Sequence, residues 1–292
     1  MKQTVATLRK MKEEGKKIAQ LTCYDYTTAR LMDEAGIDMI LVGDSLGMTM
    51  QGYNDTLPVT LDEMIVYGRS VARACQNTFV VIDMPFMSYQ ISPAQALESA
   101  GRIMKEAPGA GAVKLEGGAL MAPQIKAITD AGIPVVAHIG MTPQSVNAFG
   151  GFKVQGKGEV NAERVLQDAL AVQEAGAFAV TLECVPPKLA ALISKKLDII
   201  TIGIGASSCC DAQVLVYQDM LGMSSGVSPK FVKHFAEIGQ QMKEAFADYK
   251  AAVQDGSFPT PEQTYAKSDC SDEFLQSLDA KYSEEGYIKR IS

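Results

Sequence analysis

The sequence predicts an α/β protein whose eight parallel strands close into a (β/α)8 barrel. Short apolar runs rich in β-branched residues recur along most of the 292 residues, separated by longer stretches of helical periodicity. Those runs are apolar throughout rather than alternating, as strands buried on both faces are. An Ala-Gly-apolar transition ends a helix and opens a strand three times, at Ala35-Gly36, Ala131-Gly132 and Ala175-Gly176.

The expected strands are residues 17–22, 39–42, 79–82, 112–115, 135–137, 179–182, 199–202 and 214–217. Helices are expected at 26–35, 61–74, 93–106, 120–131, 162–175 and 186–196. Ser92-Pro93 gives one of them a capping hydroxyl and a proline at its first position. The seventh-to-eighth connection, 203–211, is short for a full helix, which keeps a doubly wound open sheet as the alternative architecture. Beyond the eighth strand, 229–249 reads as a long amphipathic helix. From Asp255 the chain turns polar, and Pro259 and Pro261 interrupt regular structure. Residues 1–266 are therefore expected to form one catalytic barrel domain with a C-terminal helix. Residues 267–292 are a polar extension, expected as a short helix or a mobile tail.

Hydrophobic residues make up 47% of the chain and charged residues 21%, enough apolar material for a large core. Lys and Arg number 27 against 34 Asp and Glu, a net charge of -7. That balance argues against a general nucleic-acid or anionic-membrane surface. No stretch approaches the roughly 18 unbroken apolar residues of a membrane span, and no signal-length apolar run follows the N-terminal lysines. A cytoplasmic protein is expected. Cys23, Cys75, Cys184, Cys209, Cys210 and Cys270 show no CxxC pairing and read mostly as reduced thiols. With only His138 and His234 present, a histidine-rich zinc site is excluded. Any metal must sit mainly on carboxylates, which points to a hard ion such as Mg2+.

In α/β barrels the chemistry sits at the carboxyl ends of the strands. Here those ends carry Asp44-Ser45, Asp83, Lys114 with Glu116, His138 and Glu183. Any one acid after a strand can be the N-cap of the next helix, and a lone histidine is more often a satisfied core residue than a catalyst. Five consecutive polar strand ends are harder to dismiss, because converging carboxylates repel unless a cation separates them. Two long glycine-bearing connections, 43–60 and 140–158, follow the strands that carry Asp44 and His138. Their length favours lids over plain surface insertions. Gly203-Ile204-Gly205-Ala206 lacks a full phosphate-loop pattern and reads better as a close-packed turn.

Several motifs carry a family resemblance: TCYDYTTA (22–29), LVGDSLGMTMQGYNDTLPVT (41–60), DMPFMSY (83–89), VKLEGG (113–118), HIGMTPQSVNAFGGFKVQGKG (138–158), LECVP (182–186), IGIGA (202–206) and SPKF (228–231). In this order, over residues 22–265, the chain resembles the ketopantoate (3-methyl-2-oxobutanoate) hydroxymethyltransferase family. The resemblance implies a TIM barrel of the phosphoenolpyruvate/pyruvate-binding type. It implies hydroxymethyl transfer from 5,10-methylenetetrahydrofolate to the oxo acid 3-methyl-2-oxobutanoate, giving 2-dehydropantoate. It further implies Mg2+ on Asp44 and Asp83, with Glu116 reaching the ion through water. Asp44, Ser45, Asp83, Lys114 and His138 match oxo-acid-binding positions, and Glu183 matches the base. A homo-oligomer, commonly a decamer of five dimers, is implied as well. The alternative reading is another Mg-enolate barrel enzyme of the phosphoenolpyruvate mutase/isocitrate lyase type. The chain departs from the family pattern at Ser207, Ala212 and Gln263, and continues past its usual terminus. A serine or alanine at a position needing positive φ would cost stability.

Overall fold

The computed structural model describes residues 2–151, 153–224, 229–265, 267 and 269–282. Eight strands occur in chain order: β1 (Ile18–Thr22), β2 (Met39–Val42), β3 (Phe79–Asp83), β4 (Ala112–Glu116), β5 (Val135–Gly140), β6 (Ala179–Glu183), β7 (Ile200–Ile204) and β8 (Ala212–Leu215). Each pairs in parallel with the next, and β8 returns to β1 through the register Ile18↔Ala212. That closing pair removes the open-sheet alternative.

Side chains alternate across each strand, which sorts them into two cores. Met39, Leu41, Val81, Ala112, Val136, Ala179, Ile200 and Val214 fill the barrel interior. Their neighbours Ile40, Val42, Val80, Ile82, Val113 and Leu115 point outward, into the larger core that the helices cover. Burying each such side chain contributes roughly 1.5–3 kcal/mol before chain entropy is counted.

The covering helices are α2 (Tyr26–Glu34), α4 (Leu61–Ala74), α5 (Pro93–Glu106), α6 (Ala122–Asp130), α8 (Glu159–Glu174) and α9 (Pro187–Lys196). Their starts follow local chemistry. The Thr60 hydroxyl accepts from Glu63 N–H while the Glu63 carboxylate accepts from Thr60 N–H, a capping box opening α4. Ser92 accepts from Gln95 N–H and opens α5, as expected from Ser92-Pro93.

Four expectations need correction. An unanticipated first helix, α1 (Val5–Glu13), puts the fully buried Leu8 into the interior cluster, with Val5 and Met11 packed beside it. The eighth strand lies at Ala212–Leu215 rather than 214–217, because Tyr217 already starts the short α10 (Tyr217–Met220). The long helix expected at 229–249 begins only at Ile238, as α11 (Ile238–Asp255). The backbone N–H groups of Phe235 and Ile238 are committed to Met220 O and Leu221 O, which holds the preceding segment out of helical form. The two long connections are not structureless. Residues 43–60 contain α3 (Leu46–Thr49), with Leu46, Thr56 and Val59 buried. Residues 140–158 contain α7 (Val146–Phe149), with Met141, Thr142 and Gln144 buried; Phe152 lies outside the described residues.

The seventh-to-eighth connection carries no helix, as its length foretold. A Cβ at Gly203 would approach Gln213 and Cys210 to between 3.0 and 3.2 Å, which fits a close-packed turn. Ser207 and Ala212 are not among the described non-glycine residues with positive φ, so these departures from the family pattern carry no such strain.

The chain divides into two compact units, residues 1–239 and 240–292. In the second, Tyr249 and Phe258 meet edge to face at 5.7 Å, and Ser271 caps α12 (Asp272–Lys281). The expected tail is therefore helical at 272–281, while 283–292 lies outside the described residues, as does Ser228 of the SPKF motif.

Candidate active site

Strand parity brings the polar strand ends together. Asp83 shares the inward face of β3 with Val81, Lys114 and Glu116 share that of β4 with Ala112, and His138 shares that of β5 with Val136. Parallel register then pairs Asp83 with Lys114 across β3 and β4, and Glu116 with His138 across β4 and β5.

The side chains make a continuous buried chain. Lys114 Nζ lies 2.6 Å from Asp83 Oδ1 and 3.4 Å from His138 Nδ1. His138 Nδ1 lies 3.3 Å from Glu116 Oε1, and its Nε2 lies 3.2 Å from Glu183 Oε2, off the line of a good hydrogen bond. Asp83 Oδ2 accepts from Asp44 N–H at 3.2 Å. Ser45 sits beside this group, its hydroxyl 2.8 Å from the Tyr24 hydroxyl. Asp44, Asp83, Lys114, Glu116 and His138 are each at most 5% exposed, and the Glu183 side chain is 13% exposed. All of the candidate site residues read from the sequence thus fall in one place.

None of the acids is spent as a helix cap. The helix after Asp44 starts from Ser45 without a side-chain cap, and α9, after Glu183, starts from Pro186 without one. What holds Glu183 is backbone shape. Cys184, the next residue, has φ +50, a left-handed conformation rare for a side chain with a Cβ. Its N–H donates to Ile204 O and its carbonyl accepts from Gln155 N–H, so both sides of the strained residue are fixed. Opposite, Gly140 (φ +91) permits close approach, since a Cβ there would fall 2.3 Å from Glu183 O.

Charge is crowded in this space. Burial, then the carboxylates of Asp83 and Glu116, push the Asp44 carboxyl well above the usual range. Burial raises Asp83 too, against the opposing pull of Lys114. Burial works against charge on Lys114 as well, but Asp83, Glu116 and Asp44 outweigh it and raise its pKa. For His138, burial and Lys114 favour the neutral ring, yet Glu116 and Glu183 prevail and push it up to about 9.

One residue of the site went unassigned in the sequence. Gln144, 5% exposed, donates from its side-chain amide to Asp44 Oδ2 at 2.8 Å and to Met84 O at 3.0 Å. Its backbone N–H donates to Glu116 Oε2 at 2.9 Å, and its side-chain oxygen accepts from the Tyr89 hydroxyl at 2.6 Å. It ties the second long connection directly to two of the carboxylates. The only sequence signal for it was its place inside a specific loop motif.

A hard divalent cation fits this donor set. Asp83 Oδ1 is buried and, despite the nearby ammonium, has no aligned hydrogen-bond donor. Asp44 accepts a side-chain hydrogen bond from the neutral Gln144 amide, and the charge of Lys114 does not offset burial and the two other acids. Among the described residues no group of three or more His, Cys, Asp or Glu side chains is set to hold a metal unaided. Mg2+ does not need three, because it is commonly held by one or two carboxylates and completes its shell with substrate and water.

Comparison with known proteins agrees with this picture. The family model for ketopantoate hydroxymethyltransferase matches residues 2–261. The chain is 60% identical to the 3-methyl-2-oxobutanoate hydroxymethyltransferase of Clostridium novyi over 91% of its own length and 96% of that protein. It is 56% identical to the enzyme of the same name from Enterococcus faecalis, over 92% and 98% respectively. Among solved structures it is similar to 2,3-dimethylmalate lyase, a PEP mutase/isocitrate lyase superfamily member, with a TM-score of 0.59, 16% identity and coverage of 99% and 98%. A crystal structure of phosphonopyruvate hydrolase gives a TM-score of 0.58 at 13% identity, over 96% and 99%. These two likenesses concern the fold. The match along nearly the whole sequence goes further: the chain belongs to the ketopantoate hydroxymethyltransferase family.

Proposed function

We infer that this protein transfers a hydroxymethyl group from 5,10-methylenetetrahydrofolate to 3-methyl-2-oxobutanoate, forming 2-dehydropantoate, with Mg2+ as cofactor. The observation that carries this reading is the buried chain Asp83–Lys114–His138–Glu183, flanked by Asp44 and Glu116. The names of the close relatives support the same reaction.

The chemistry requires loss of a proton from the carbon next to a ketone. Asp44 and Asp83 are the residues that would hold Mg2+, with Glu116 reaching it through water, and the bound ion supplies Lewis-acid charge for the developing enolate oxygen. Lys114 adds a permanent positive charge where the carboxylate and keto oxygens of the oxo acid converge. Ser45 and His138 complete the contacts to that acid. Glu183 accepts the proton as general base, and His138 keeps its carboxylate on the inward side of β6. Water opens the folate's methylene bridge, its hydroxyl joining the one-carbon unit and its proton going to N10. The carbon left with the electron pair then bonds that unit as the bond to N5 breaks, and the proton taken by Glu183 goes to N5, releasing tetrahydrofolate. Burial of the site limits reprotonation by water.

The family match ends at 261, which supports 1–266 as the catalytic domain and 267–292 as an extension. Among the described residues no helix is long and apolar enough to cross a membrane. Cys23, Cys75, Cys184, Cys209 and Cys210 are free thiols, which supports a cytoplasmic setting. Exposed Met242, Phe246, Tyr249 and Val253 form one stripe along α11, which supports a homo-oligomer. The phosphoenolpyruvate mutase/isocitrate lyase alternative has only the shared fold in its favour and is set aside.

The direct experiment is an assay for 2-dehydropantoate with oxo acid, methylenetetrahydrofolate and Mg2+, each omitted in turn. Product is expected only with all three. Product without folate would contradict the reading.

A further inference from the structure

The carboxylate chain opens on one side into a cavity of about 640 Å³. Glu116 forms part of its lining and so does Gln144, which touches both Asp44 and Glu116. Gln155, also in the lining, donates its backbone N–H to the carbonyl of Cys184, the residue after Glu183. The space therefore reaches the carboxylate chain at Glu116 and the segment after Glu183 through Gln155. A small branched oxo acid fills only a fraction of it, since cavities of roughly 300–1,000 Å³ suit far larger ligands.

The remaining lining has the chemistry of a site for a flat, amide-bearing ring with an anionic tail. Phe86, Leu120 and Phe149 provide apolar surface, and Leu120 stands 79% exposed. A large apolar side chain held in water at the mouth of a cavity gains free energy when a ligand covers it. Asp168 supplies a fixed acceptor. One of its oxygens accepts from Ala119 N–H at 2.8 Å, and the carboxylate lies so close over Gly118 that a Cβ there would fall 2.1 Å from it. A carboxylate with one oxygen engaged retains acceptor capacity for a paired N–H donor. Arg164 precedes Asp168 by four residues on α8, which places it one turn along the same helix face, exposed and in the cavity lining.

We propose that this cavity seats the one-carbon donor: Asp168 receives the amino and ring N–H donors of a reduced pterin, and Arg164 pairs with the carboxylate of its glutamate tail. The proposal rests on the transfer reading above and specifies where the second substrate binds. The bound pterin would lie between α8 and the Glu116–Gln144 edge, with its reactive nitrogens toward the oxo acid.

The test measures tetrahydrofolate affinity by calorimetry on the full chain with Mg2+ and oxo acid present. Exchange of the oxo acid's C3 proton, which needs no folate, reports that the fold and the oxo-acid site are intact. Asp168→Asn keeps an oxygen for Ala119 N–H but can turn an N–H donor toward the pterin, and is expected to weaken binding about tenfold or more. Arg164→Ala is expected to weaken tetrahydrofolate about two- to fivefold and to leave tetrahydropteroate, which lacks the glutamate, unaffected. Ala148→Trp, on the exposed part of the lining, fills the cavity without touching the core and should weaken both ligands. Unchanged affinity in all three variants, against a wild type that binds, overturns the proposal and leaves the transfer reading standing. A wild type that exchanges the C3 proton yet binds no tetrahydrofolate contradicts the transfer reading and removes this site with it.

Discussion

Asp44 shows most clearly how single residues set the chemistry. Its carboxyl is pushed well above the normal range by burial and by two neighbouring acids, so without a cation it retains a proton at pH values where a free aspartate has lost it. On the proposed function, a divalent cation at Asp44 would bind the carboxylate and displace that proton. The sign follows: apparent Mg2+ affinity should rise with pH across the interval between the normal carboxylate value and the raised one. Calorimetric titration in two buffers of different ionisation enthalpy checks this, through a buffer-dependent heat that reports proton release. The same heat in both buffers would contradict a proton-bearing Asp44. Most of the site was legible at this scale, because Asp44, Asp83, Lys114, Glu116, His138 and Glu183 each follow an apolar run and polarity there is costly without a purpose. Gln144 was not. It is neutral, sits in a polar loop, and acquires its role only when the loop folds back onto two acids that lie 100 and 28 residues earlier in the chain.

Elements were readable in proportion to their periodicity. The capped helices at 61–74 and 93–106 match the structure residue for residue, since Thr60 and Ser92 mark their starts unambiguously. Helix α1 escaped because it is short and mostly polar, with one apolar edge of Val5, Leu8 and Met11. That edge matters: Leu8→Ala should destabilise the protein by about 2–5 kcal/mol through a cavity in the interior cluster. Urea unfolding checks the loss, and C3-proton exchange below the transition should remain, since Leu8 belongs to the barrel core and not to the polar strand ends. Residues 229–237 misled the reading because a helical pattern there loses to long-range backbone bonds. The two long connections make a different prediction. Their first turns are anchored, but 52–54 and 147–149 are largely exposed. On binding Mg2+ and oxo acid, 43–60 and 140–158 should gain amide-exchange protection, measured by mass spectrometry. Equal protection with and without these ligands would contradict their service as lids.

For the whole molecule, barrel closure turns five separate strand ends into one charged interior. Register alone delivers Asp83 to Lys114 and Glu116 to His138, and the strained Cys184 turns the chain away directly after Glu183. On the proposed function this interior is arranged around one proton transfer, with Glu183 as its base. Glu183→Gln keeps the shape and removes the acceptor, while Asp44, Asp83 and Lys114, the residues proposed to hold Mg2+ and the oxo acid, lie on or just after other strands. The measurement is exchange of the C3 proton of 3-methyl-2-oxobutanoate with D2O, followed by NMR with Mg2+ and without folate. A folded variant with near-normal oxo-acid binding is expected, its exchange slower by about 10²–10⁴-fold. Exchange at the wild-type rate in that folded variant would contradict this and remove Glu183 from the mechanism.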